Sequence, residues 1–205
     1  MVVIAFFSSI SAQRNPASWE IDWLKQLNAA GKNDVTDGLL FGVSQSIYPS
    51  TVLWGGWLVT EGIIKKQPEK VKQGSFRMFA TGIAFSTTML LKYTVRRERP
   101  DPAVFAVPFL KDGFSFPSGH AALASAIATT IFLEKKPWYW CSAGVVGCLL
   151  IAYTRPYLGV HYPGDILAGI MVGTSSALLA IPFRKTIHRV IDRAYTKKSP
   201  STNKE

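Results

Sequence analysis

The stretch that decides the fold runs from residue 92 to residue 165. It opens with Lys92-Tyr93-Thr94-Val95-Arg96-Arg97-Glu98-Arg99-Pro100 and continues through Phe116-Pro117-Ser118-Gly119-His120. It closes with Thr154-Arg155-Pro156-Tyr157-Leu158-Gly159-Val160-His161-Tyr162-Pro163-Gly164-Asp165. Three islands of cationic and imidazole groups are set apart by apolar sequence. Charge beside an apolar scaffold is costly to bury, so the islands need a chemical partner.

Apolar runs lie on both sides of these islands and between them, at residues 50–64, 76–91, 121–133, 138–153 and 166–183. Each is shorter than the roughly 20 residues of a bilayer span, but polar flanks can lengthen a helix. Small residues recur along the runs, among them Gly55, Gly56, Gly82, Ala124, Ala128, Gly144, Gly147, Gly169 and Gly173, as close helix packing in lipid favours. A weaker segment, 34–48, carries Asp37, Ser44, Gln45 and Ser46 and stops at Pro49. The expectation is an all-α antiparallel helical bundle, integral to the membrane, with five or six spans. A mean hydropathy of only +0.16 keeps a soluble helical domain as the alternative.

Residues 1–13 read as the apolar core and small-residue end of a secretory signal that lacks a positive n-region. From Ser18 an amphipathic helix begins, with Ser18 as its cap and Trp19, Trp23 and Leu27 at i, i+4 and i+8. That tryptophan face suits either a membrane interface or an ordinary core. Residues 18–183 then form a single domain, and 184–205 form a basic polar tail that frays.

The chain has 23 Lys and Arg against 13 Asp and Glu in 205 residues, a net charge of +10, which calls for an anionic partner. Nucleic acid is set aside, because no recognisable module is present and the surplus flanks apolar segments. Cys141 and Cys148, about 10 Å apart on one helix, exceed disulfide reach and serve packing. If consecutive helices alternate in direction, the loops 65–77 and 134–137 and the tail share one basic side, which the positive-inside rule puts in the cytoplasm. The three islands then face the opposite side.

Topology therefore gathers the islands at one end of the bundle. Cations converging there would repel one another unless an anion sat between them, and phosphate is the natural one. Arg99 and Arg155 can fork onto its oxygens and Lys92 supplies a point charge. Pro117-Ser118-Gly119-His120 reads as a helix start whose free N–H groups face the anion, with Ser118 as cap and Gly119 permitting close approach. Pro163 suits the first turn of the last helix and brings Asp165 near its N-terminus beside His161. Two histidines near one phosphate divide the work. His161, oriented by Asp165, attacks phosphorus, and His120 protonates the leaving oxygen. The sequence offers no metal-ligand cluster and calls for no cofactor.

The order Lys92-(six residues)-Arg99-Pro100, Pro117-Ser118-Gly119-His120, Arg155-(five residues)-His161-(three residues)-Asp165 resembles the three-part signature of the type 2 phosphatidic acid phosphatase superfamily. The motifs span about 74 residues, and the flanking helices extend the likeness over residues 36–183. What the resemblance implies is a metal-free helical-bundle phosphatase with a phosphohistidine intermediate, acting on a phosphorylated lipid or a polyprenyl diphosphate. Lys92, Arg99, Ser118, Gly119 and Arg155 would bind phosphate, His161 would be the nucleophile, Asp165 its partner and His120 the general acid. Thr154 stands where the third motif usually has serine, and it keeps the hydroxyl. Two relatives of the same superfamily are the alternatives: a soluble secreted acid phosphatase and a vanadate-dependent haloperoxidase. A bilayer location with the site facing the exterior, such as a bacterial inner membrane facing the periplasm, follows from the charge pattern.

Overall fold

A computed structural model describes residues 15–29, 33–101 and 113–197. The signal-like stretch 1–13 lies outside the described residues. So do most of the loop between Pro100 and Phe116 and the last eight residues of the basic tail. The described residues form eight α-helices: α1 (Ser18–Asn28), α2 (Asp34–Gln45), α3 (Ile47–Ile64), α4 (Pro68–Val95), α5 (Gly119–Leu133), α6 (Trp138–Tyr157), α7 (Pro163–Leu179) and α8 (Arg184–Lys197). A single 3₁₀ turn, Ile181–Phe183, joins the last two.

The centre of the bundle is α5. It packs against α4, α6 and α7, while α3 and α4 form an antiparallel hairpin beside it. Its sequence, GHAALASAIATTIFL, has small side chains on every face, and residues 120–126 are buried without exception. A helix apolar and small all round can be surrounded by others at close range. One layer of the core joins Ile47, Leu123, Ala124, Ala128, Cys148 and Ile151. A second joins Phe76, Ala80, Ala177 and Ala180 nearer the opposite end. Large apolar side chains point outward instead: Leu53, Trp57, Phe85, Leu90, Val146, Leu149, Leu167 and Met171 are all at least half exposed. Such an outer face is made for lipid rather than water. Among the described residues the continuous helical stretch Pro163–Thr196 meets both the length and the apolarity of a membrane span, and Gly119–Leu133 is a shorter apolar helix.

Several boundaries differ from the sequence reading. The expected loop 65–77 shrinks to a turn, because Pro68 starts α4 and the charged residues after it are helical. Proline fits there, where its missing N–H would have no helical partner. Lys72 then pairs with Asp192 on α8 at 2.6 Å, and Lys70 with Glu61 on α3 at 2.6 Å. The break after α2 falls at Ser46 rather than Pro49, which sits in the first turn of α3. Residues 184–197 form a helix, not a frayed tail. Ile187 joins the Phe76 core layer, the Tyr195 hydroxyl donates to the Gly62 carbonyl at 3.2 Å, and Arg184 donates to the Leu133 carbonyl at 3.4 Å.

The N-terminal helix differs too. Ser18 is its first helical residue rather than its cap; Ala17 is the N-cap, and its N–H is taken by the Glu20 carboxylate at 2.9 Å. The inward face carries Glu20 and Leu24, one turn apart and both buried, whereas Trp19 and Trp23 are exposed.

Candidate active site

Three helix junctions meet at one end of the bundle: the end of α4, the start of α5, and the turn from α6 into α7. At α4 the helix stops at Val95 because Arg96 adopts left-handed backbone (φ 55°), its N–H returning to the Lys92 carbonyl at 2.9 Å. The reversal sends Arg97 inward. Ser118 caps α5, its hydroxyl accepting the Ala121 N–H at 3.5 Å. At α7 Pro163 occupies the first turn and Asp165 reaches back to the Tyr162 N–H at 2.9 Å. The Ser118 N–H donates to the Asp165 main-chain carbonyl at 2.9 Å, which ties the starts of α5 and α7 together.

A cavity at this junction is lined by Lys92, Arg99, Gly119, His120, Arg155 and His161. Six of the eight sequence-predicted residues thus face one space. Ser118 sits behind it, buried as a cap, and Asp165 lies fully buried behind His161. Phe85, Met89 and Leu123 form an apolar wall on the same cavity.

Each polar side chain is held in place. The Lys92 ammonium donates to the Phe114 carbonyl at 2.6 Å, and Arg99 donates to the carbonyls of Gly113 at 3.0 Å and Val160 at 3.3 Å. Arg155 is 1% exposed and donates to the Ser44 hydroxyl on α2. His120 has Nε2 3.4 Å from Gln45 Oε1, and its ring stands edge-on to Tyr48 with centroids 4.8 Å apart. His161 Nδ1 lies 3.6 Å from Asp165 Oδ2 and 3.4 Å from the Ser115 hydroxyl, which itself donates to Asp165. The turn holding His161 lies between α6 and α7. Burial drives its pKa down to about 3, against the opposing pull of Asp165, and Arg155 and Arg99 push the same way as burial. Neutral imidazole is the state this site favours.

The sequence reading did not single out Arg97, Glu20, Ser115 or Ser44 for the site. Arg97 stands in the first island, where nothing in the local sequence sets it apart from Arg96. It is 4% exposed and donates to Asp165 Oδ1 at 2.6 Å and Glu20 Oε2 at 2.5 Å. Its guanidinium lies over the Tyr162 ring, 4.6 Å from the centroid. A carboxylate on the same helical face as Leu24 was the available signal for Glu20. The others act across long chain separations and look ordinary locally.

A helical bundle that gathers three cations and two imidazoles around one cavity, beneath an apolar exterior, defines a membrane bundle with a cationic pocket at one end. The chain belongs to the PAP2 superfamily, whose family model matches residues 76–189, more than half of its length. It is 30% identical over 168 residues to phosphatidylglycerophosphatase B of Bacillus subtilis, covering 77% of each chain. It is 34% identical over 99 residues to an undecaprenyl-diphosphatase of Sulfolobus acidocaldarius, which takes in 46% of this chain and 47% of that one. This second match therefore spans about half of the relative's length. Among solved structures, the fold matches that of a transmembrane PAP2-type phosphatidylglycerolphosphate phosphatase from Bacillus subtilis. The TM-score is 0.65 at 23% identity, over 91% of this chain and 96% of that one.

Proposed function

We propose that the chain is a membrane phosphatase that removes phosphate from a lipid phosphate or polyprenyl diphosphate through a phosphohistidine. The observation that carries this reading is the shared cavity. Two imidazoles and three cations line it, and a carboxylate stands behind Nδ1 of only one of the imidazoles. With Nδ1 turned to Asp165 and Ser115, Nε2 of His161 is the atom left to react.

In the first step the Nε2 lone pair attacks the terminal phosphorus, and its bond to the lipid's ester oxygen, or to the bridging oxygen of a diphosphate, breaks. His120 gives its proton to that departing oxygen. Lys92, Arg99, Arg155 and the N-terminus of α5 at Gly119 balance the charge on the equatorial oxygens. In the second step water attacks the phosphoryl group, His120 takes the water's proton, and the bond to Nε2 breaks to release phosphate. Asp165 stabilises the charge on His161 throughout.

Phe85, Met89 and Leu123 support a substrate whose apolar tail lies against the cavity wall while its phosphate sits among the cations. Helices α3 to α7 would cross the bilayer. The end carrying Lys65, Lys66, Lys135, Lys136 and Lys185 would face the cytoplasm, and the cavity would face the exterior, which in a bacterium is the periplasm. The named activities of the two relatives, together with phosphatidate as a simple lipid monophosphate, supply the first substrates to try. Purified protein in chelator should release phosphate from phosphatidylglycerophosphate, phosphatidate or undecaprenyl diphosphate, and His161→Ala should abolish it. Undiminished turnover by His161→Ala on every substrate the parent cleaves would overturn the reading.

A further inference from the structure

We propose that Glu20 and Arg97 are positioning residues, forming with Asp165 a clamp by which the N-terminal helix α1 holds the carboxylate in line with His161. The inference rests on the phosphohistidine reading and adds to it a role for α1.

Two of the three guanidinium nitrogens of Arg97 are used, while Nε is buried without a hydrogen-bond partner. Arg97 places one guanidinium between two buried carboxylates, reaching Asp165 Oδ1 at 2.6 Å and Glu20 Oε2 at 2.5 Å. Glu20 Oε1 also accepts the Gly164 N–H at 3.0 Å, and Oε2 the Ala17 N–H at 2.9 Å. Asp165 Oδ2 accepts from Tyr162 N and from Ser115. All four carboxylate oxygens therefore have donors, and Glu20 touches both the start of α1 and the turn that carries Asp165. The Ser115 N–H donates to the Arg97 carbonyl at 2.7 Å, so the hydroxyl between His161 and Asp165 is fixed by the same residue. Around this cluster Leu24 and Ile21 pack against Tyr162, α1 also contacts α6, and Asn28 donates to the Pro156 carbonyl at 3.4 Å.

Three desolvated charges are a poor way to dock a helix, since apolar side chains of similar size generally do so at lower cost. What the charges provide is an oriented carboxylate whose field at His161 is set by its partner. Asp165, Arg155 and Arg99 act directly on the His161 ring. Lys92 and His120 share its cavity, and Arg97, Glu20 and Glu98 lie near the neighbouring Tyr162. Without the Arg97 guanidinium, Asp165 would pull harder on imidazolium, and His161 would protonate at higher pH.

The test is steady-state phosphate release against pH by the full chain in detergent. The variants are Arg97→Gln, Arg97→Lys, Glu20→Gln, the double variant Glu20→Gln/Arg97→Gln, and His161→Ala. Thermal melts establish which variants are folded. Arg97→Gln should lower kcat about tenfold to a hundredfold with little change in KM. It should also move the acid limb of kcat/KM upward by about one pH unit. Arg97→Lys, which keeps the charge but not the fork, should keep the parent's acid limb and recover part of kcat. Glu20→Gln should cost less than Arg97→Gln, and the double variant should be no slower than Arg97→Gln alone, because Glu20 acts through Arg97. If the two single losses multiply, or if folded Arg97 variants keep the parent's kcat and acid limb, the clamp is overturned. Activity retained by His161→Ala would instead overturn the phosphohistidine reading on which the clamp depends.

Discussion

His161 Nδ1 stands 3.6 Å from Asp165 Oδ2, with the Ser115 hydroxyl 3.4 Å from the same nitrogen. The pair is four residues apart, at the junction where α6 gives way to α7, and both residues are shielded from solvent. That separation is longer than a hydrogen bond to neutral imidazole, and catalytic contacts of this kind commonly tighten once substrate is bound. Asp165→Asn removes the charge but keeps the shape, so it should slow turnover by about a hundredfold or more with KM little changed. Single-turnover phosphate release at saturating substrate is the measurement.

The depressed pKa of His161 predicts a pH dependence of stability. Its ordinary value is 6.5 and the folded value is about 3. Between those limits the unfolded chain binds a proton at this site and the folded chain does not, so this contribution to stability falls as pH drops through the window. Above 6.5 and below 3 it is flat. Melting temperature in detergent should decline from pH 6.5 downward, and His161→Gln should show a shallower decline than the parent over the same range.

These two residues also show what the sequence could and could not disclose. His161, Asp165, His120, Lys92, Arg99 and Arg155 were legible because charge and imidazole are rare beside apolar helices and their order is distinctive. The helices themselves were legible as apolar runs, most clearly α5 and α7. The first two turns of α4 were not, because Glu69, Lys70 and Lys72 resemble loop residues. They are helical through partners on α3 and α8 that chain order does not announce. Glu20 and Arg97 were missed for the same reason, their contact closing across 77 residues. The tryptophans of α1 left open whether their face met the membrane interface or the core, and both are exposed. Large aromatic rings mark amphipathicity, but here the inward face is the one with the carboxylate.

At the opposite end of the bundle, Arg77 and Glu134 form a two-point ion pair, with Nε to Oε1 at 2.7 Å and Nη2 to Oε2 at 2.5 Å. Side-chain exposures are only 6% and 2%, and the guanidinium also donates to the Trp54 carbonyl at 3.0 Å and lies over the Trp54 ring. Glu134→Gln leaves a buried cation without its counter-charge, so it should destabilise the folded state by about 3 kcal/mol. The loss should appear in denaturant or thermal unfolding. Because the pair is remote from the cavity, KM for phosphate esters should stay near the parent's at temperatures where the variant is folded.

The last prediction concerns the helix contact that sets the distance between the two histidines. His120 lies in the first turn of α5, and His161 lies two residues before α7, so their separation depends on how closely these helices approach. At Gly173 on α7 a Cβ would fall on the Ala122 carbonyl and the Ser125 hydroxyl of α5, and at Gly169 on the Ser118 carbonyl. Backbone cannot yield as a flexible side chain would. Gly173→Ala must therefore move α7 away from α5, at a cost of about 1–3 kcal/mol. A displacement of even about 1 Å between reacting groups can lower turnover by about a hundredfold. Gly147 on α6 is the control, because a Cβ there meets nothing within 4 Å. Gly147→Ala should leave turnover unchanged and match or slightly exceed the parent in melting temperature, since alanine is the better helix former. Equal activity for Gly173→Ala and Gly147→Ala would show that the α5–α7 spacing does not govern the reaction.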